Sequence, residues 1–331
     1  MQSHLSPLTC TLVIPTVDRP QELRECLESV PCQTRLPDHV LVMDDGESDE
    51  AQLRALFAGT PVEFLYHRKT ERKGLTRSRN LAARMASTEV LIYLDDDVVL
   101  EPEYVAEIMA LYEADVQGDL GGVGGVITNF HMGRIECVYE LLRGRPRWGH
   151  GRVFPSGLSQ CNYNAVRETK SVDWLGGGVS SYRRAVVLEN PFHEGYANYA
   201  LYEDLEMSYR VSRRWRLLIT PRARLAHHPG LHSIHRQPYR FACQQIANLW
   251  YHYARNMPHR LLNRVAFSWM IISMLAADVG GLLFLPHRFH LFWPCLRGHA
   301  RATWEGVTGN NPLLRASAES PDTSPGRGPC P

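Results

Sequence analysis

The stretch LIYLDDDVVL, residues 91–100, sets three aspartates between two apolar flanks. Carboxylates this close repel one another unless a cation or a strong hydrogen-bond donor sits among them. The flank before them belongs to EVLIYL, a short apolar run that reads as a strand, so the acids fall at a strand's carboxyl end. The same order recurs upstream. TLVIP, from Thr11, reads as a strand, and PQELRECLESV spaces Leu23, Cys26, Leu27 and Val30 at helical intervals beside a proline. HVLVMDD repeats the strand-then-acid pattern with Asp44 and Asp45; AQLRALF is a short helix, VEFLYH a third strand and LTRSRNLAARMA a helix. This alternation predicts an α/β fold built on a mainly parallel sheet with helices on both faces. Ligands bind beyond the carboxyl ends of strands in such sheets, which is where both acidic clusters lie.

The chain has 331 residues, 44% of them hydrophobic and 21% charged, enough for one large or two modest domains with a real core. A formal net charge of +1 supplies no global field, so no nucleic-acid partner is expected and any anion site must be local. Eight scattered cysteines without a CxxC pair read as reduced thiols. MQSHLSPLTC lacks a basic region followed by an apolar run, so no signal peptide is expected and a cytoplasmic catalytic face is. After the helix EYVAEIMALYEAD, the pattern loosens from GGVGGVITNF to Lys170 into expected loops with short strands. The most apolar segment, residues 266–285, approaches the length of a membrane span but contains Asp278. With Arg255, Arg260, Arg264, Arg288 and Arg297 around it, contact with a membrane surface is expected, peripheral on the inner face of the cell membrane. A buried helical hairpin is the alternative.

A strand that delivers acids to a sheet edge suits a divalent cation whose other ligands are phosphate oxygens, since hard oxygen donors match Mg2+ or Mn2+. A bare acid run is as often a solvated loop. TLVIPTVDRP, VLVMDDGESDE, KGLTRSRNLA, LIYLDDDVVL, WLGGGVSSYRR and YEDLEMSYR stand in an order and spacing that resemble family 2 glycosyltransferases. Those are inverting enzymes of the GT-A fold, a Rossmann-like nucleotide-diphospho-sugar transferase architecture, and the likeness runs over roughly residues 9–235, toward bacterial surface-glycan enzymes.

The resemblance implies a catalytic domain over 1–235, with a nucleotide-binding half at about 9–128 and an acceptor half at about 129–235. A helical extension at 236–308 and a disordered tail at 309–331 follow. It implies a nucleotide diphosphate sugar donor and a saccharide or lipid-linked acceptor. Pro15, Thr16 and Arg19 are expected near the base and ribose, Asp45 or Asp44 on the base, and Arg79 on the nucleotide. Asp95 is expected on the ribose, Asp96 on sugar hydroxyls, and Gly177 and Gly178 beside the donor sugar. Asp97 is the expected metal ligand, with His227, or His228 in reserve, completing the shell. Asp204 is the expected general base and Glu203 the acceptor-orienting acid. Where processive relatives carry a Gln-x-x-Arg-Trp motif this chain has Val211 and Ser212 before Arg214 and Trp215, which argues against processive polymerisation. The alternatives are a catalytically silent sugar-nucleotide binder or scaffold and, less favoured, a nucleotidyltransferase, whose glycine-rich first turn is missing from PTVDRP.

Overall fold

The computed structural model describes residues 7–70, 73–131, 133, 140–141, 143, 150–196, 200–229 and 237–319; Cys137 and Cys330 lie outside them. Four parallel strands form the first half of the sheet: β1 (Cys10–Thr16), β2 (His39–Asp44), β3 (Glu63–Arg68) and β4 (Val90–Leu94), in the spatial order β3-β2-β1-β4. Val13 pairs with Leu41 on one side and Tyr93 on the other. Parallel neighbours need crossovers, and α1 (Pro20–Glu28), α2 (Glu50–Ala55) and α3 (Leu75–Met85) lie in them. All of β4 and all of β1 except Pro15 are buried, so both faces of the sheet are covered, as the unbroken apolar runs predict.

Beyond β4 the sheet becomes mixed. The chain continues through β5 (Val98–Leu100), α4 (Tyr104–Glu113), β6 (Leu120–Ile127), β7 (Lys170–Val172) and β8 (Val179–Arg183). Then come α5 (Arg184–Glu189), α6 (Glu203–Ser212) and β9 (Arg216–His227). β8 runs antiparallel to β4 and to β6, β9 runs parallel to β6, and β5 and β7 run antiparallel to β9. The mainly parallel expectation thus holds over β1–β4 and gives way to mixed pairing afterwards. The cause is local: only the three aspartates separate β4 from β5, far fewer than the dozen or so residues a parallel crossover takes. The chain instead leaves the centre of the sheet and pairs with β9 at its far edge. Residues 95–97 are that passage.

GGVGGVI, expected in a loosely structured stretch, is the buried strand β6. Glycine is depleted in strands, which hides it from sequence patterning. Its neighbours require the space: a Cβ on Gly122 would lie 2.8 Å from the Tyr182 ring, and one on Gly125 would lie 2.6 Å from the Ala223 carbonyl oxygen.

Among the described residues four α-helices follow: α7 (Pro238–Asn256), α8 (Leu261–Phe284), α9 (Phe289–Val307) and α10 (Pro312–Glu319). Leu205 and Tyr209 of α6 share an apolar cluster with Ile246, Leu249, Met270 and Met274, so these helices pack against the element that carries the expected general base. Asp278 is buried on α8 with His299 Nδ1 2.6 Å away, and His299 Nε2 meets Gln245 Oε1 at 2.9 Å. Gln245 in turn donates to the Tyr202 hydroxyl at 3.2 Å. The acid inside the apolar segment is therefore a partnered core group. Part of the segment expected as a disordered tail, Pro312–Glu319, is helical. Asn311 Oδ1 accepts from the Leu313 N–H at 2.9 Å and Leu313 is buried, which fixes the first turn of α10; residues 320–331 lie outside the described residues.

Gly125→Ala must displace backbone and is expected to cost about 2 kcal/mol by overpacking. Gly280→Ala in α8, where a Cβ meets nothing within 4 Å, serves as the control and should stabilise by about 0.5 kcal/mol. Urea midpoints of the two variants check this, and equal midpoints would refute the packing account.

Candidate active site

Three basic side chains sit among the aspartates. The register that pairs Val98 with His227 sets that histidine beside Asp97, with Nε2 3.1 Å from Oδ1. Arg19, in the turn after β1, reaches Asp96 Oδ1 at 2.6 Å and Asp97 Oδ2 at 2.8 Å. Arg79 Nη2 lies 3.4 Å from Asp95 Oδ1. The Thr16 hydroxyl also donates to Asp96 Oδ2 at 2.7 Å. Burial lifts the Asp96 carboxyl to about 6 against the pull of Thr16 and Arg19. Burial works the same way on Asp97, but His227 and Arg19 outweigh it and hold that carboxyl below its usual range. For His227 burial opposes the charged form, and Asp97 overcomes it and raises the imidazole. Arg19 is thus engaged by the acids, beside the place expected for base and ribose. His228 contributes its backbone N–H to the Asp97 carbonyl at 2.8 Å.

Asp95, Asp97 and His227 each offer a ligand atom, and these atoms lie within 4.8 Å of one another. Two carboxylates and an imidazole at that separation are a donor set for a divalent cation.

Arg79 joins this cluster to the second pair of acids. It projects from α3, is 1% exposed, and its Nη1 donates to Glu203 Oε1 while Nη2 faces Asp95. The guanidinium lies 5.8 Å from the Tyr93 ring centroid and 5.4 Å from that of Phe192. Asn80 holds Phe192 in place by two reciprocal backbone bonds of 2.9 Å. The Arg-Asn pair of the sequence therefore divides its work: one residue meets the acids and the other fixes the wall beside them.

Glu203 and Asp204 open α6. Tyr202 before them has φ 67, a left-handed conformation uncommon outside glycine, and Asn248 anchors the neighbouring Leu201 carbonyl at 2.8 Å. Asp204 accepts from the Gly177 N–H at 3.0 Å and from the Leu205 N–H at 2.8 Å. Burial raises its carboxyl above the usual range even so. A Cβ on Gly178 would fall 2.0 Å from Asp95 Oδ2, so the glycine loop lies directly against the acids. None of Gly176, Gly177 and Gly178 has positive φ; close approach is what excludes a side chain there. Contacts thus run without a break from His227 through Asp97, Arg19 and Asp96 on one side and from Asp95 through Arg79 to Glu203 on the other, with Gly177 binding Asp204.

Other expected residues lie apart from this chain of contacts. Asp44 is fully buried: Oδ1 accepts from the Gly46 N–H at 2.6 Å, and Oδ2 from the Ser48 N–H at 2.8 Å and the Tyr66 hydroxyl at 2.6 Å. It shapes its own turn. Asp45 Oδ2 accepts from the Gly74 N–H at 2.7 Å, and its Oδ1 lies 2.9 Å from Lys69 Nζ. Lys69 sits in the charged run RKTERKG, which reads as surface, and nothing in the sequence marks it as the buried partner of Asp45. Pro15 is half-buried at the end of β1, and Trp174 is a core residue, 7% exposed. Glu206 is buried and bound to Arg210 at 3.1 Å and to Asn256 at 3.2 Å, a brace between α6 and α7.

The sequence matches the family described as Glycosyl transferase family 2 over residues 11–153. It is 27% identical over 124 residues to the glucosyl-dolichyl phosphate glucuronosyltransferase of Haloferax volcanii, covering 38% of each chain. It is 30% identical over 114 residues to the validoxylamine A glucosyltransferase of Streptomyces hygroscopicus subsp. limoneus, covering 33% of this chain and 24% of that one. The matches therefore span well under half of those relatives' lengths. Among solved structures, the Pyrobaculum calidifontis mannosyltransferase PcManGT, in complex with GDP-Man and Mn2+, superposes with TM-score 0.54 at 16% identity, covering 92% of this chain and 87% of that one. S. aureus TarS 1–349 superposes with TM-score 0.56 at 14% identity, covering 94% and 87%. At such identities the structural likenesses speak for the fold, which is GT-A. Matched sequence and fold point the same way: residues 11–153 are similar to glycosyl transferase family 2, and they sit on a GT-A fold.

Proposed function

We propose that this chain moves a sugar from a nucleotide diphosphate sugar to an acceptor hydroxyl by direct displacement, with inversion at the anomeric carbon. The observation that carries the reading is the bond from the Gly177 N–H to Asp204, one residue from the Gly178 backbone that lies against Asp95. A base for the acceptor and the acids of the donor side thereby border one space.

Inversion needs a carboxylate that takes the hydroxyl proton on the face of the sugar opposite the leaving phosphate. Asp204 suits that part: its burial favours proton uptake, and among the described residues no cation lies within hydrogen-bond reach of it. Glu203, held by Arg79, orients the acceptor. Thr16 and Arg19 fix Asp96 and Asp97 on the donor side, Asp95 and Asp96 face ribose and sugar hydroxyls, and Asp45 with Pro15 lies toward the base. Asp95, Asp97 and His227 would hold Mg2+ or Mn2+, and the imidazole favours Mn2+. Such a cation, when bound, neutralises charge on a diphosphate leaving group. GDP-Man with Mn2+ in the mannosyltransferase of like fold supports both donor class and metal. A relative that acts on glucosyl-dolichyl phosphate favours a lipid-linked acceptor over a free glycan or a small metabolite. Among the described residues no disulfide joins the six cysteines, which suits a cytoplasmic place of work.

Asp204→Asn should lower sugar transfer by about a thousandfold while leaving the thermal shift given by the donor nucleotide sugar unchanged. If wild type binds donors but neither transfers nor hydrolyses them, with or without Mn2+, and Asp204→Asn behaves identically, the protein is a silent binder. Asp97→Asn should lower turnover by about a hundredfold or more and abolish the dependence on added Mn2+. Glu203→Gln leaves the Arg79 charge buried without its nearest partner, so unfolding free energy should fall by about 3 kcal/mol in urea titrations.

A further inference from the structure

We propose that the outer face of α8, with the turn into α9, seats on an anionic lipid bilayer and lies in its headgroup region without crossing it. Leu262, Val265, Trp269, Ile272, Val279 and Leu283 are all exposed, from 43% to 70%, and recur at intervals of three, four and seven residues. At 3.6 residues per turn they form one stripe along the 24-residue helix. The stripe continues into the turn, where Phe284 is 82% exposed and Phe289 and Trp293 stack at 6.0 Å on the surface of α9. An aromatic-tipped apolar edge of this length suits the boundary between headgroups and acyl chains.

Charge selects the occupant. Residues 251–300 contain five arginines and a single acid, Asp278, in a chain whose total is +1. That acid is buried against His299, so the surface here is basic. Arg260 and Arg264 are exposed at the start of α8, Arg264 about 100° round the helix from Val265, and Arg288 is exposed in the turn. Anionic headgroups complement that arrangement. A second copy of the chain does not: it would set the same arginines against one another with no acid on the face to pair them.

The opposite side of α8 excludes a span. By length and composition it is the one described helix able to cross a membrane, yet Phe267, Met270, Ile271 and Met274 are buried in the cluster shared with α6 and α7, and Asp278 is locked to α9. A crossing helix would have to leave all of these.

The test needs neither donor nor acceptor, so its result is independent of the sugar-transfer reading. The full chain is sedimented with vesicles of phosphatidylcholine alone or with added phosphatidylglycerol, at low and high salt. Binding to the anionic vesicles is expected to be at least about tenfold tighter, to weaken in high salt, and to release on alkaline carbonate washing. Ile272→Glu/Leu283→Glu should abolish it, and Arg260→Gln/Arg264→Gln should remove most of the anionic preference, both with an unchanged melting temperature because the replaced side chains are exposed. The proposal is overturned by an absence of binding, by binding that the glutamate pair leaves intact, by resistance to carbonate, or by a concentration-dependent dimer that the glutamate pair dissolves.

Discussion

A single buried guanidinium holds the two acidic groups of this protein together. Arg79 is almost wholly removed from water, a state that costs several kcal/mol for an ion unless partners surround it. Its partners come from opposite ends of the fold: Asp95 from the strand end of the parallel half and Glu203 from the first turn of α6. Neither acid reaches the other directly. Burial and like-charge neighbours raise the Asp95, Glu203 and Asp204 carboxyls, and Arg79 is the charge that works against that rise in all three. The rings beside this guanidinium are themselves anchored: Asn80 binds the Phe192 backbone, and the Tyr93 hydroxyl donates to the Arg79 carbonyl.

How far the sequence discloses this depends on whether the controlling interaction is local. The first four strands and their helices are legible because each is an unbroken apolar run or a helical spacing, and their pairing follows from alternation. The acids at their ends are legible for the same reason. Long-range partners are not. Nothing near Asp45 announces Lys69, and the pairing of Val98 with His227, which places the histidine, joins residues more than a hundred positions apart. Asp44 and Asp45 are adjacent and chemically alike, and only the folded turn reveals that one closes on its own backbone while the other pairs with a buried lysine. Glycine misleads in the other direction, since a strand made of it carries the signature of a loop.

The C-terminal helices belong to the same mechanical unit as the cleft. A line of buried polar contacts runs from Asp278 through His299 and Gln245 to the hydroxyl of Tyr202, whose left-handed backbone starts the helix bearing Glu203 and Asp204. Apolar contacts of Leu205 and Tyr209 run parallel to it. The strained residue is over-determined by packing on one side and hydrogen bonds on the other, which is the condition under which such a backbone persists. The residues matched to the family model end at 153, before α6 begins, so that match does not include the second acid pair.

The glycines of β6 bear on how homologues of this chain are to be compared. Gly121 and Gly125 make room for Trp215 and Tyr104, and Gly122 and Gly124 for Tyr182 and Leu175, so alternate positions accommodate bulky side chains on the two faces of the sheet. A larger residue is most strongly opposed at Gly125, where a Cβ would meet the Ala223 carbonyl oxygen. Constraint at these glycines therefore reports the thickness of a wall, a dimension of the scaffold, and is distinct from the chemistry of the aspartates.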